Sequence, residues 1–406
     1  MTVTPSRLAQ VFSCIGHAFM HMFTAMYFVI AVAMEKEGWN GMRNADLMEL
    51  WTLGALMVGL AAVPAGVLGD RWSLSGMMVV YFLGLGASAI VCALVDGPSA
   101  LFIGLSALGV LAAIYHPVGI AWLVRSSGKR GKALGINGVF GSIGVSVAGL
   151  VAGGLTELFS WRAAFLVPGV VCFAVGLALL YCRQRGLVND AAAPQKQPDS
   201  VPKRSEAIRV YFILLCTMTC MGLIFQATQA AIPKHFDLRL GDIVGHDAFL
   251  LGVAVAFVYT AGGIMQILGG VFADRMNLKR LYVATFFFQI PVMMGLAFVG
   301  GVGLLPIAAV TVLLSTGALP AENMMLARYT PAQHRGLAYG LKFVLAFGTA
   351  PLAIQAAVWV ERTTGEFQWL FAGLTALAAI AAFTAALLPG GKDRASSSQV
   401  NAVPAE

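Results

Sequence analysis

Apolar residues run along this chain in long blocks separated by short polar breaks. Crossing a bilayer takes about 20 mostly apolar residues. Twelve blocks meet that length: 8–33, 47–68, 76–95, 99–125, 133–155, 161–182, 209–232, 248–272, 279–300, 303–327, 336–360 and 367–388. The one long break, 183–208, holds Pro194, Pro198 and Pro202 with Lys196, Lys203 and Arg204. The pattern predicts an all-α membrane protein of twelve transmembrane helices. An N-terminal six-helix bundle (1–182) is joined by a flexible cytoplasmic linker (183–208), with an amphipathic patch on the membrane surface, to a C-terminal six-helix bundle (209–390). A disordered cytoplasmic tail (391–406) follows.

Composition agrees with this pattern. The 406 residues are 59% hydrophobic and 11% charged, against about a quarter charged in soluble domains. The net charge of +7 does not point to nucleic acid, because the basic residues gather in the short breaks. With both termini cytoplasmic, nineteen Lys and Arg fall on the inner side. Six fall outside: Lys36, Arg43, Arg162, Lys234, Arg239 and Arg362. Lys342 lies within a span. That asymmetry predicts a multi-pass protein of the inner (plasma) membrane with both ends inside. All six cysteines lie in or beside apolar blocks, so no disulfide framework is expected. Cys216 and Cys220, one turn apart, read as packing residues, with a soft-metal site as the sharper alternative. Arg7 and Ala31-Val32-Ala33 imitate a signal peptide, but the first block is too long for one and reads as a retained span.

The chain also repeats itself. G-V-L-G-D-R at Gly66–Arg71 returns as G-V-F-A-D-R at Gly270–Arg275, an offset of 204 residues. R-G-K-A-L-G at Arg130–Gly135 returns as R-G-L-A-Y-G at Arg335–Gly340, and Pro117 has its counterpart in Pro320. Three features at nearly one offset indicate duplicated halves related by an axis along the membrane normal.

These residues resemble the major facilitator superfamily over nearly the whole chain. Gly66, Asp70 and Arg71 match its Gly-x-x-x-Asp-Arg loop, although Ser73, Leu74 and Ser75 depart from the basic tail. Gly270, Asp274 and Arg275 repeat the motif and keep basic Lys279 and Arg280. The resemblance implies two pseudo-symmetric six-helix bundles. It also implies a conformational clamp, in which these Asp and Arg residues bridge the halves in the outward-open state and separate when the inner side opens. Within the superfamily, G-H-A-F-M-H-M-F at Gly16–Phe23 and Y-H-P-V-G at Tyr115–Gly119 resemble the fosmidomycin-resistance-like branch. Gly149–Gly154 resembles the antiporter signature Gly-Pro-x-x-Gly-Gly with Leu150 in place of proline, which leaves the direction of transport open. Those glycines, with Gly141 and Gly144, allow close helix contact.

Ionisable residues inside spans mark candidate chemistry. His17 and His21 share one helix face, about 6 Å apart along the axis. His116, counted from the inner end of span 4, falls at a similar depth. The resemblance implies that spans 1, 4, 7 and 10 line a central cavity, so the three histidines are expected to face water there. The competing reading is a buried imidazole that simply bonds a neighbouring helix. Pro117 removes a backbone bond to Ala113, so span 4 is expected to bend beside His116. Glu322 is the sole acidic residue well inside a span, and Lys342 is its expected partner unless it snorkels to the surface. Asn137, Gln226 and Asn323, with Gln229, Gln266 and Gln355, offer uncharged substrate contacts or helix–helix bonds.

No nucleotide-binding loop is present, so ATP does not supply the energy. No Arg lies well inside a span, which weighs against a phosphate-ester exchanger. No nucleophile–base set stands out in the outer breaks, so neither an enzyme nor a cofactor is expected. The residues predict a monomeric secondary active transporter whose partners are the lipid bilayer, a small-molecule substrate and protons, not nucleic acid. Proton-coupled export of a small organic compound or drug is the leading expectation, with the proton on Glu322 and His116 as second candidate. Import of a nutrient or metabolite by symport is one alternative. Transport of copper or iron by His17, Met20, His21 and His116 is the other.

Overall fold

A computed structural model describes residues 5–127, 130–190, 204–241, 247–330 and 335–389. Twelve helical spans follow in order. They are α1 Pro5–Lys36, α2 (Asn44–Leu50, Thr52–Leu60 and Ala62–Arg71), α3 Leu74–Leu94, and α4 (Pro98–Ala112, Tyr115–Gly119 and Ile120–Ser126). Next come α5 Arg130–Leu158, α6 Trp161–Gln184, α7 Arg204–Arg239, α8 Ala248–Arg275 and α9 Leu278–Phe298. The last are α10 Leu304–Tyr329, α11 (Arg335–Gly348 and Ala350–Thr364) and α12 Gln368–Ala386. Every apolar block of the sequence becomes one of these spans.

Polar residues at the breaks set where helices start. Ser73 accepts from the backbone N–H of Gly76 at 2.9 Å to cap α3, and Asn277 accepts from Arg280 to cap α9. Such caps satisfy N–H groups that the first turn leaves without partners. The breaks before α3 and α9 are two residues long, so α2/α3 and α8/α9 return as antiparallel neighbours.

Three local features differ from a uniform set of rods. Span 2 bends by 40° at Ala61 instead of running straight. In α4 the expected distortion at Pro117 takes the form of a π-helical turn, Tyr115–Gly119. Helix α7 continues through Pro233 to Arg239, seven residues past its apolar block, because Lys234 and Asp237 find ionic partners there. Of the linker, 191–203 lies outside the described residues, as does the tail from 390 onward. The described start of the linker is docked on the first half: Asp190 accepts from Ser73 Oγ at 2.7 Å and from the backbone N–H of Ser75 at 2.9 Å.

One buried core runs through the N-terminal half and on into the C-terminal half, a second lies within the C-terminal half, and the halves meet along α5–α8, α2–α11 and α1–α7. At α5–α8 the backbones touch: a Cβ on Gly149 would stand 2.6 Å from the carbonyl oxygen of Gly252. Gly149→Val should therefore wedge the halves apart. Overpacking of this kind costs about 1–3 kcal/mol, to be read as a lower Tm of the purified protein in detergent. An unchanged Tm would mean that the helices slide freely at this point.

Candidate functional site

Seven of the eight ionisable and amide candidates fall into two clusters, and Gln226 lines a cavity beside the first. The first gathers His17, His21 and His116, one ring nitrogen from each lying within 4.8 Å of the other two. His17 Nδ1 is 2.7 Å from the backbone carbonyl of Asn137. A carbonyl only accepts, so Nδ1 carries the hydrogen, and in the neutral ring Nε2 presents its lone pair. That Nε2 is 3.2 Å from His21 Nε2. His17 stacks on Tyr115 with ring centroids 4.9 Å apart. Gly141 makes room for it, since a Cβ there would come within 2.6 Å of the ring. Asn137 is not free for substrate: its side-chain amide donates to the Tyr115 hydroxyl at 2.7 Å, which in turn donates to the Ser13 carbonyl at 2.8 Å.

His116 sits differently. It is 6% exposed and neither ring nitrogen has a hydrogen-bond partner. Its ring stacks on Phe343 and Phe347 of α11, with centroids 4.6 and 4.8 Å away. The expectation that these histidines face water is thereby corrected. His17 is buried among Tyr115, His21 and His116 of its own half, His116 is buried against Phe343 and Phe347 of the other half, and His21 borders a cavity. That cavity lies between the halves. Phe28, Trp51, Phe225, Phe347, Gln226 and Gln229 are among the residues that line it, together with His21. Gln226, expected as a polar contact, is placed there, and its Nε2 donates to the Ala346 carbonyl at 3.2 Å. Met20 is fully buried.

The second cluster is internal to the C-terminal half. Lys342 Nζ is 2.6 Å from Glu322 Oε1 and 2.6 Å from Asn323 Oδ1. The Tyr282 hydroxyl donates to Glu322 Oε2 at 2.7 Å and lies 2.9 Å from Thr217 Oγ1. Glu322 and Lys342 are 1% and 7% exposed, so Lys342 does not snorkel. Lys342 and Phe343 are consecutive on α11. One turn of that helix thus touches both clusters.

Among the described residues the duplicated Asp-Arg motif makes no ion pair between the halves. Asp70 pairs with Arg125 of its own half at 2.6 Å, and Asp274 and Arg275 are exposed. Gly66 stands against the Pro117 ring, whereas no described atom lies within 4 Å of where a Cβ on Gly270 would stand. An exposed pair such as Asp70–Arg125 adds little stability by itself.

A third group went unread in the sequence. On the face opposite the linker, Lys234 of α7 meets Glu35 of α1 at 2.5 Å, and Lys36 meets Asp237 at 2.5 Å. Asn44 donates to both carboxylate oxygens of Glu361, and Arg362 pairs with Asp46 and Glu49 at 2.7 and 2.5 Å. All these contacts join one half to the other. A signal was available: Lys36 and Asp237, opposite in sign, are 201 residues apart, close to the repeat offset.

Comparison with known proteins matches this architecture. A profile described as Major Facilitator Superfamily matches residues 13–341. The puromycin resistance protein pur8 of Streptomyces alboniger is 33% identical over 145 residues, covering 34% of this chain and 28% of that protein. The uncharacterized MFS-type transporter EfpA of Mycobacterium tuberculosis is 26% identical over 244 residues, covering 59% of this chain and 42% of that one. The chain thus spans less than half the length of these curated relatives. A bacterial homolog of the human lysosomal transporter Spinster has the same fold. Its inward-facing occupied structure has a TM-score of 0.72 at 14% identity over 95% of this chain and 97% of that one. The unoccupied structure has a TM-score of 0.67 at 13% identity, over 94% and 97%. Twelve spans in two duplicated halves, a family match over most of the length and a shared fold lead to one conclusion: the chain belongs to the major facilitator superfamily, a family of membrane transporters and not of enzymes.

Proposed function

We propose that this transporter exports a small amphipathic organic compound across the inner membrane by alternating access, driven by proton exchange. The carrying observation is the cavity between the halves, walled by Phe28, Trp51, Phe225 and Phe347 with the amides of Gln226 and Gln229. Aromatic walls with a few polar groups hold an apolar solute and orient it. No guanidinium or carboxylate lines this wall, so phosphate esters and multiply charged solutes are poor candidates. Similarity to a puromycin resistance protein supports the same substrate class. The H-x-x-x-H and Tyr-His-Pro patterns support placement in the fosmidomycin-resistance-like branch.

In this reading both termini are cytoplasmic. The ion pairs of the opposite face then close the outside, and the described state is closed outward. The proton is carried by Glu322, whose pairing with Lys342 is made and broken as α11 moves. In the described state the cavity, about 20 Å³, has room for little more than a water, and the cargo enters it when the halves part. Proteoliposomes loaded with an amphipathic fluorescent dye test the whole reading. An imposed pH gradient should move dye uphill, a protonophore should stop it, and Trp51→Ala should slow it about tenfold. Dye movement that ignores the gradient, or none at all, would overturn the reading.

A further inference from the structure

The cavity and the Glu322–Lys342 pair leave the histidine cluster without a task. Three observations give it one. First, the three ring nitrogens lie within 4.8 Å of one another. A tetrahedral ion with metal–nitrogen bonds of about 2.0–2.1 Å holds its ligand nitrogens roughly 3.3 Å apart. His17 and His21 already stand at 3.2 Å, so only His116 has to close in.

Second, His17 is already set as a ligand. Its Nδ1–H is held by the Asn137 carbonyl at 2.7 Å, which fixes the tautomer and turns the Nε2 lone pair toward the other two rings. A backbone carbonyl behind a ligating imidazole is the usual way a protein orients it and raises its basicity. The Asn137 side chain, bonded to Tyr115, fixes that segment in turn.

Third, His116 is buried with both nitrogens unpartnered. A buried polar group without a hydrogen bond costs about 1–3 kcal/mol, and native structures rarely leave one without a reason. A π-helical turn holds this residue, and Pro117 follows it directly. Such turns recur at functional sites because they re-aim a side chain.

We propose that His17, His21 and His116 form a binding site for a late first-row transition-metal cation, with the fourth coordination position open to the cavity. Imidazole suits zinc, copper and nickel. Three protein ligands with one open position is the pattern of sites that exchange their occupant. His21 borders the cavity, so an incoming ion meets it first. The site stands on the boundary between halves, since Phe343 and Phe347 of α11 cover His116. Movement of α11 would uncover or seal it.

The test is direct binding of Zn(II) to the purified full-length chain, stripped with chelator and carrying no polyhistidine tag. Calorimetry should give one equivalent per chain, and Co(II) in the same site should give the intense visible bands of four-coordinate geometry. His21→Gln and His116→Gln should each weaken Zn(II) binding about 100-fold or more. Should His116→Gln fail to fold, His21→Gln decides the matter, because that side chain is only half-buried. Absence of stoichiometric binding, or binding untouched in His21→Gln, overturns the proposal. The reading does not rest on organic export. A chain that moves dye but binds no metal defeats this inference alone, and one that binds metal but moves no dye defeats the export proposal alone.

Discussion

Glu322→Gln should abolish accumulation driven by a pH gradient while exchange of substrate across the membrane continues. One pH unit is worth about 1.4 kcal/mol per proton, or a tenfold gradient of solute. With one proton per cycle, the native chain should concentrate dye about tenfold at that gradient, and the variant should stop at equal concentrations. The physical reason is the cluster around the carboxylate. Glu322 and Lys342 hold each other at 2.6 Å with almost no solvent, and Tyr282 adds a donor at 2.7 Å. Protonating Glu322 removes the attraction to Lys342 and so loosens α11, the helix whose next residue, Phe343, lies on His116. Deprotonation restores the pair. Glutamine fixes the neutral form, so the cycle runs without reference to the proton.

A rival reading of the same contacts is static: the pair merely ties α10 to α11. Breaking a buried pair by removing one partner costs about 3–5 kcal/mol. On that reading Glu322→Gln lowers Tm sharply, and Glu322→Gln with Lys342→Met restores both stability and uphill transport. If the single variant keeps full pH-driven accumulation, Glu322 is not the proton site.

The fold was legible because its signal is local. Twelve apolar blocks, duplicated Gly-Asp-Arg loops and basic residues gathered in short breaks need no tertiary information. Helix ends were less legible where charge, not hydropathy, decides them: α7 outruns its apolar block because Lys234 and Asp237 are held by residues some 200 positions away. The bend at Ala61 had a signal that went unread: Pro64, three residues on, removes the backbone bond to the Leu60 carbonyl.

The candidate site was half legible. Ionisable residues in apolar blocks stand out singly, and depth counting brought His116 level with His17. Glu322 and Lys342 were expected as partners, and they pair at 2.6 Å. What sequence could not give is the separation of that pair from the histidine cluster. The structure also assigns Asn137 to holding Tyr115. Burial was the other misreading. An aromatic residue in a span reads as lipid-facing or core, and nothing about Phe343 and Phe347 marks them as lids over an imidazole. The Asp-Arg motif was recognised, but its partners depend on conformation: in this state Asp70 holds Arg125 of its own half.

The largest conformational effect is expected from Lys234→Met. Lys234 reaches Glu35 at 2.5 Å and Asp237 at 2.9 Å, and with Lys36 it is one of two cations that join α7 to the end of α1. The side chains involved are only 11–21% exposed, so solvent screens the attraction incompletely. Without Lys234, Glu35 keeps the Asn44 backbone N–H but no cation. Through Asn44 it then stands near Glu361, a second carboxylate. Asp237 still has Lys36, so the loss is concentrated on Glu35. A partly buried charge stripped of its partner can lower its energy by meeting water, and opening this face supplies water. A differential cost of about 1–2 kcal/mol would shift the balance toward the outward-open state roughly five- to thirtyfold. Ala55 is a suitable reporter, since it lines the cavity and is buried in the closed state. With Ala55→Cys in intact cells, a membrane-impermeant thiol reagent added outside should label the Lys234→Met chain about tenfold faster than its parent. Adding Glu35→Gln should bring labelling back toward the parent rate, because the stranded carboxylate is gone. The experiment also reports orientation, as the reagent reaches this cavity only if the latched face is extracellular. Equal labelling with and without Lys234 would show that the ion pairs decorate the closed face without holding it.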